Sequence, residues 1–192
     1  MGRRSILPRS AAEPAAPVMD PRPAAGAPIR VWFNKTFSSV RTVVARLREG
    51  DHEQRYHVTV STAQPHTATT VTAHAAVLEP AGLAGEAYLD WCAGFCAERG
   101  IDLFVPGREA VRIAAAHARF AAIGTRVLSV ASAEVLALLH DKARCYVDAL
   151  DHALPPAEFR VVGDMDALLA AYRELRTRHG HVCIKPASSV YG

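Results

Sequence analysis

The 192 residues carry 22 Lys and Arg against 19 Asp and Glu, a net charge of +3 with a pI near 8.8, and half of them are hydrophobic. That supports a sizeable core and excludes a globally disordered chain, while so mild and dispersed a positive balance gives no footprint for nucleic acid. No apolar run approaches the roughly 18 residues of a membrane span, and four Cys without a Cys-x-x-Cys spacing read as reduced thiols of a cytoplasmic protein.

Residues 1–28 hold six of the twelve Pro among Ala and Arg, with few large apolar residues. Such a segment cannot bury enough surface to offset its ordering entropy, so a disordered tail is predicted. It lacks the apolar centre of a signal peptide, and Met19 offers an alternative start. Ile29–Phe33 is β-branched and aromatic and reads as the first strand. A helix is predicted over Val40–Glu49, with Ser38 or Ser39 as N-cap and Gly50 just past its end. Strands are predicted at Tyr56–Ser61 and Ala75–Leu78, with an irregular polar stretch between them.

Glu86–Arg99 places Tyr88, Trp91, Cys92, Phe95 and Cys96 on one helical face and meets Gly100 at its end. Two Cys on an apolar stripe make a poor zinc site, so core packing is the reading for them. A strand over Ile101–Val105, a Pro106-Gly107 turn, a helix over Arg108–Phe120 and a short strand over Val127–Ser129 follow. Strands and helices alternating at these intervals predict an α/β fold with a mostly parallel sheet. No Gly-x-Gly-x-x-Gly follows the first strand and no Walker loop occurs, which disfavours dinucleotide and P-loop chemistry. In such a sheet the crevice lies at the C-terminal ends of the strands. That position singles out the Asn34–Ser38 loop with Ser38, and also Glu79, Arg108 and Glu109. Arg108 suits a substrate carboxylate, or else caps a surface turn.

From Ser132 a short helix leads to Asp141-Lys142, which opens a helix to about Ala153, stopped by Pro155-Pro156. A strand over Phe159–Val162, a helix over Met165–Arg178 capped by Asp164, and a strand into Cys183-Ile184-Lys185 complete the pattern. The nine His, His179-Gly-His181 included, read as structural or solvent-facing, and no metal-ligating set is predicted. Lys occurs only at 35, 142 and 185 in a chain that otherwise writes Arg. A retained Lys marks a place for a compact point charge rather than a planar fork. Lys185 ends a strand and precedes Pro-Ala-Ser-Ser-Val-Tyr-Gly192, a small-residue loop able to offer backbone N–H groups to phosphate oxygens.

Asp141-Lys142 opening a helix, Pro155-Pro156, and Cys-Ile-Lys185-Pro-Ala-Ser-Ser-Val-Tyr-Gly resemble the start of an ATP-grasp domain, in the biotin carboxylase and carbamoyl-phosphate synthetase branch. The resemblance runs from about Ile29 to the last residue. It implies a tail over 1–28, a Rossmann-like preliminary domain over 29–131, and the first part of an ATP-grasp lobe over 132–192. It further implies that Lys142, Lys185, Ser188, Ser189 and Gly192 contact the phosphates of ATP. The loop is poorer in Gly than in biotin carboxylases. A carboxylate would be activated as an acyl phosphate for attack by an amine or other nucleophile, with Mg²⁺ ligands and the adenine pocket expected beyond Gly192. No residue of this chain is assigned a catalytic role, and the 192 residues alone are expected to be inactive. A non-catalytic α/β ligand-binding or interaction module is the alternative.

Overall fold

A computed structural model of the protein describes residues 26–34 and 38–188, so most of the predicted tail lies outside the described residues. Five strands form one sheet: β1 (Ile29–Phe33), β2 (Tyr56–Thr62), β3 (Ala75–Leu78), β4 (Leu103–Val105) and β5 (Arg126–Val127). Their spatial order is β3-β2-β1-β4-β5, and every pairing is parallel. This is the doubly wound order, in which the chain reverses its direction of travel between β1 and β4.

Side chains alternate across a strand, and β1 shows what each face buries. Val31 and Phe33 pack with Val58 and Val60 of β2 and with Val44 of α1 (Ser38–Gly50). Trp32 faces the other way and is fully buried with Phe104, where the two rings stack at 4.2 Å. On that side lies α2 (Gly85–Arg99), which buries Tyr88, Leu89, Cys92, Ala93, Phe95 and Cys96. The face predicted from spacing is thus the core face, with Trp91 partly buried at its margin. Gly100 closes α2 in the left-handed conformation at φ 58°, which a residue without Cβ adopts at little cost. All four Cys are free thiols.

Two predictions need correction. The helix expected over Arg108–Phe120 is two short ones, α3 (Ala110–Ala115) and α4 (His117–Ala121). A ring nitrogen of His117 lies 3.2 Å from the Ala114 carbonyl, and the Arg119 N–H closes a tight turn on Ala116 O. The regular ladder therefore stops at Ala116. The strands expected at Phe159–Val162 and before Lys185 are not strands. Extended chain becomes a strand by pairing with a neighbour, and these two segments instead border a cavity.

Beyond the sheet come α5 (Ala133–His140), α6 (Lys142–Asp151) and α7 (Met165–Arg176). Ser132, Asp141 and Asp164 cap them, their side-chain oxygens accepting from the N–H of Val135, Arg144 and Ala167. Among the described residues no helix is long and apolar enough to cross a membrane.

Candidate functional site

Two places gather the residues singled out from the sequence. The first is the crevice at the C-terminal ends of the neighbouring strands β1 and β4. Asn34, buried at the end of β1, joins both sides of it. Its Oδ1 accepts from the N–H groups of Gly107 (2.5 Å) and Arg108 (3.2 Å), and its Nδ2 donates to Tyr88 Oη (3.0 Å) and Arg108 O (3.1 Å). Glu79, at the end of β3, has its side chain only 1% exposed. It receives the Ser61 hydroxyl at 2.9 Å and Arg108 Nη1 at 3.0 Å. Ser61 in turn accepts from Trp32 Nε1 at 3.0 Å.

Arg108 Nη2 donates to Leu83 O, and the guanidinium lies 4.2 Å from the centre of the Tyr88 ring. Burial pushes the Tyr88 phenol above its ordinary range, with Cys92 and Glu79 adding to the effect. Glu109 is held at φ 54°, a region sparsely used by residues with a Cβ. Its carboxylate accepts from Gly85 N at 3.4 Å and pairs with Arg112 Nε at 3.5 Å. The sheet thus brings Glu79, Arg108 and Glu109 together. Ser38 begins α1, on an element that leaves β1. Sequence reasoning placed Asn34 in the crevice loop without its partners, and it missed the roles of Ser61 and Tyr88. The available signal was a polar residue directly after an apolar strand.

The second place is a cavity of about 400 Å³ walled by Tyr146, Phe159, Leu168, Tyr172 and Leu175, with Lys142 and Lys185 both in its lining. Tyr146 and Phe159 stack with centroids 5.0 Å apart. Lys142 is the first residue of α6 and is half-buried, whereas Lys185 is exposed. The backbone N–H of Lys142 donates to Ala187 O at 2.8 Å, and Asp141 and Ser188 form an antiparallel bridge. The loop after Lys185 is therefore fastened to the start of a helix, where backbone N–H groups and the helix dipole favour anions. Ser189 and Gly192 lie outside the described residues.

A network of exposed charges flanks the cavity. Arg178 binds Glu158 at 2.6 Å and Glu174 at 2.8 Å, Arg160 bridges the same two carboxylates, and His179 Nε2 meets Glu158 at 2.8 Å. The bond from His179, then Arg178 and Arg160, holds Glu158 below the usual carboxylate range. Among the described residues no three His, Cys, Asp or Glu side chains come together as a metal site.

No family model matches the chain, and no curated protein matches it. Solved structures do. The N5-carboxyaminoimidazole ribonucleotide synthetase of Thermotoga maritima is similar over 73% of this chain and 35% of its own, at 14% identity and a TM-score of 0.44. The biotin carboxylase domain of a single-chain bacterial carboxylase is similar over 79% and 35%, at 20% identity and a TM-score of 0.48. That of a thermophilic 2-oxoglutarate carboxylase, bound to bicarbonate, is similar over 78% and 34%, at 14% identity and 0.46. The chain spans about a third of the length of each. With every TM-score below 0.5, the functional reading rests on the residues.

Proposed function

We propose that this chain holds the phosphates of ATP through Lys142, Lys185 and the loop carrying Ser188, Ser189 and Gly192, as the start of an ATP-grasp unit. The observation that supports it is that the two lysines line one cavity while the loop is hydrogen-bonded to Lys142's own backbone. A point charge on a slim stem sits between phosphate oxygens where a guanidinium does not, and the α6 N-terminus adds partial positive charge. In the reaction a carboxylate oxygen attacks the terminal phosphorus, ADP leaves, and a nucleophile then displaces phosphate from the acyl carbon. The part of these residues is positioning and charge neutralisation. The metal of such chemistry supplies charge neutralisation between the phosphates, and no residue here is assigned to hold it.

The division into a Rossmann-like part over 29–131 and an ATP-grasp part from 132 belongs to the same proposal. So does a substrate-side role for Ser38, Glu79, Arg108 and Glu109. Arg108 would act there by fixing the crevice wall, because Nη1 and Nη2 are held by Glu79 and Leu83.

Calorimetric titration of the protein with ATP and Mg²⁺ tests the reading. Exposed charge contacts are worth ~0–1 kcal/mol each, so affinity should be about millimolar. Lys142→Ala and Lys185→Ala should each weaken it severalfold, and Lys185→Arg should not restore it. Wild-type affinity in the double alanine variant would overturn the assignment.

A further inference from the structure

We propose a second anion site: the groove of about 610 Å³ between the β4–α3 turn and the end of α5 binds a small oxyanion through Arg112 and His140. Gly107, Arg108 and Glu109 form one side of the groove and Arg112 and His140 also line it, brought together because α3 packs on α5. It borders the turn that follows the C-terminal end of β4, the edge at which a doubly wound sheet presents its ligand crevice.

The cations in this groove are not equivalent. Arg108 is committed to Glu79 and Leu83. Arg112 pairs with Glu109 through Nε at 3.5 Å, and its side chain is half-exposed. Among the described residues no acceptor takes its two terminal nitrogens, which form the fork that suits a carboxylate or phosphate. Gly85, at φ 58°, lies beside that guanidinium, and a Cβ there would make an ordinary van der Waals contact with Arg112 Nη2 at 3.9 Å. The turn is kept in place by the left-handed Glu109, and such conformations persist where surrounding contacts enforce them. His140 ends α5 and is exposed.

His140 precedes Lys142 by one intervening residue, the cap Asp141. The groove and the lysine cavity therefore adjoin the same α5–α6 junction. Identifying the oxyanion as the acceptor carboxylate rests on the ATP reading above; binding of an oxyanion in the groove does not.

The test is a ¹H–¹⁵N titration of the protein with sodium succinate and, separately, inorganic phosphate, each against sodium chloride at equal ionic strength. Saturable shifts at Gly107, Arg112 and His140 in at least one oxyanion arm are expected, with the two arms separating a carboxylate from a phosphate ligand. Arg112→Gln should weaken binding at least fivefold, and His140→Gln, also at an exposed position, serves as the second variant. Lys185→Ala should leave it unchanged, so a failed ATP titration and a failed groove titration are told apart. Absence of saturable shifts with either oxyanion, or identical titrations in wild type and both groove variants, would overturn the proposal.

Discussion

Removing the Arg108 guanidinium takes the paired cation away from a buried carboxylate. The Glu79 side chain is 1% exposed and that of Arg108 25%. In Arg108→Ala, Glu79 loses its 3.0 Å partner and keeps the Ser61 hydroxyl, while Leu83 O and the Tyr88 ring lose their cation. Breaking a buried pair from one side costs about 3–5 kcal/mol, most of it from the charge left behind. The cation–π contact accounts for up to about 1 kcal/mol of this. Adding Glu79→Gln removes that charge and retains an oxygen for Ser61, so the double variant should recover about 1–3 kcal/mol. For a domain of this size the single variant's melting point should fall by roughly 6–20 °C. Urea unfolding followed by tryptophan fluorescence reads this directly, because Trp32 is bonded to Ser61 and Trp91 lies in the same cluster. A cost below about 1 kcal/mol for Arg108→Ala, or a double variant no more stable than the single, would refute the account of a buried, mutually dependent pair.

Acid should weaken the β2–β3 edge. His74 Nδ1 accepts the Val58 N–H at 3.0 Å, which requires an unprotonated nitrogen, and desolvation, then Arg48 and His57, lowers its pKa from the ordinary 6.5. Because the folded value is the lower one, this contribution is fully present above the unfolded pKa and is lost as pH falls through 6.5 toward the folded value. His74→Gln should flatten the fall in urea midpoint between about pH 7 and pH 5, and an equal fall in both proteins would count against the mechanism. Thiol labelling of the native protein should reach exposed Cys183 first and leave Cys92 and Cys96 untouched until denaturation. Burial pushes both core thiols up, Cys96 to about 12, so little reactive thiolate exists; rapid native labelling of either would contradict this. Gly100→Ala should cost about 1–2 kcal/mol by thermal unfolding, since φ is 58° and the new Cβ would lie 3.1 Å from Arg30 Nη1. A neutral result would mean that the turn after α2 relaxes freely.

The parallel sheet was legible because its cause is local. β1 and β2 are written in β-branched and aromatic residues, and α2 repeats its large apolar groups on one face, so composition and period name each element without knowledge of its neighbours. The segments at Phe159–Val162 and before Lys185 have similar local character and are not strands. What decides them is whether a neighbouring backbone stands at hydrogen-bonding distance, and a cavity lies there instead. Residue type reports a preference for extended chain; pairing is a property of the surroundings. The break at Ala116 is of the same kind: His117 lies against Ala114 O at a point where spacing alone reads as continuous helix.

Candidate positions were legible at the crevice for a related reason, and their partners were not. A parallel sheet places the C-terminal ends of its strands on one edge, and the observed order β3-β2-β1-β4 brings Asn34, Glu79 and Arg108 to that edge. Nothing in their spacing tells that Arg108 reaches Glu79 rather than solvent; that follows from register, which sets Thr62 beside Leu78 and so carries Glu79 inward next to Ser61. The consequence is chemical. An arginine free in solution near a crevice is a ligand for anions, whereas one whose terminal nitrogens are held by a buried carboxylate and a carbonyl is part of the wall. On the groove proposal, Arg112, four residues onward, takes the anion-facing position that the sequence alone suggested for Arg108.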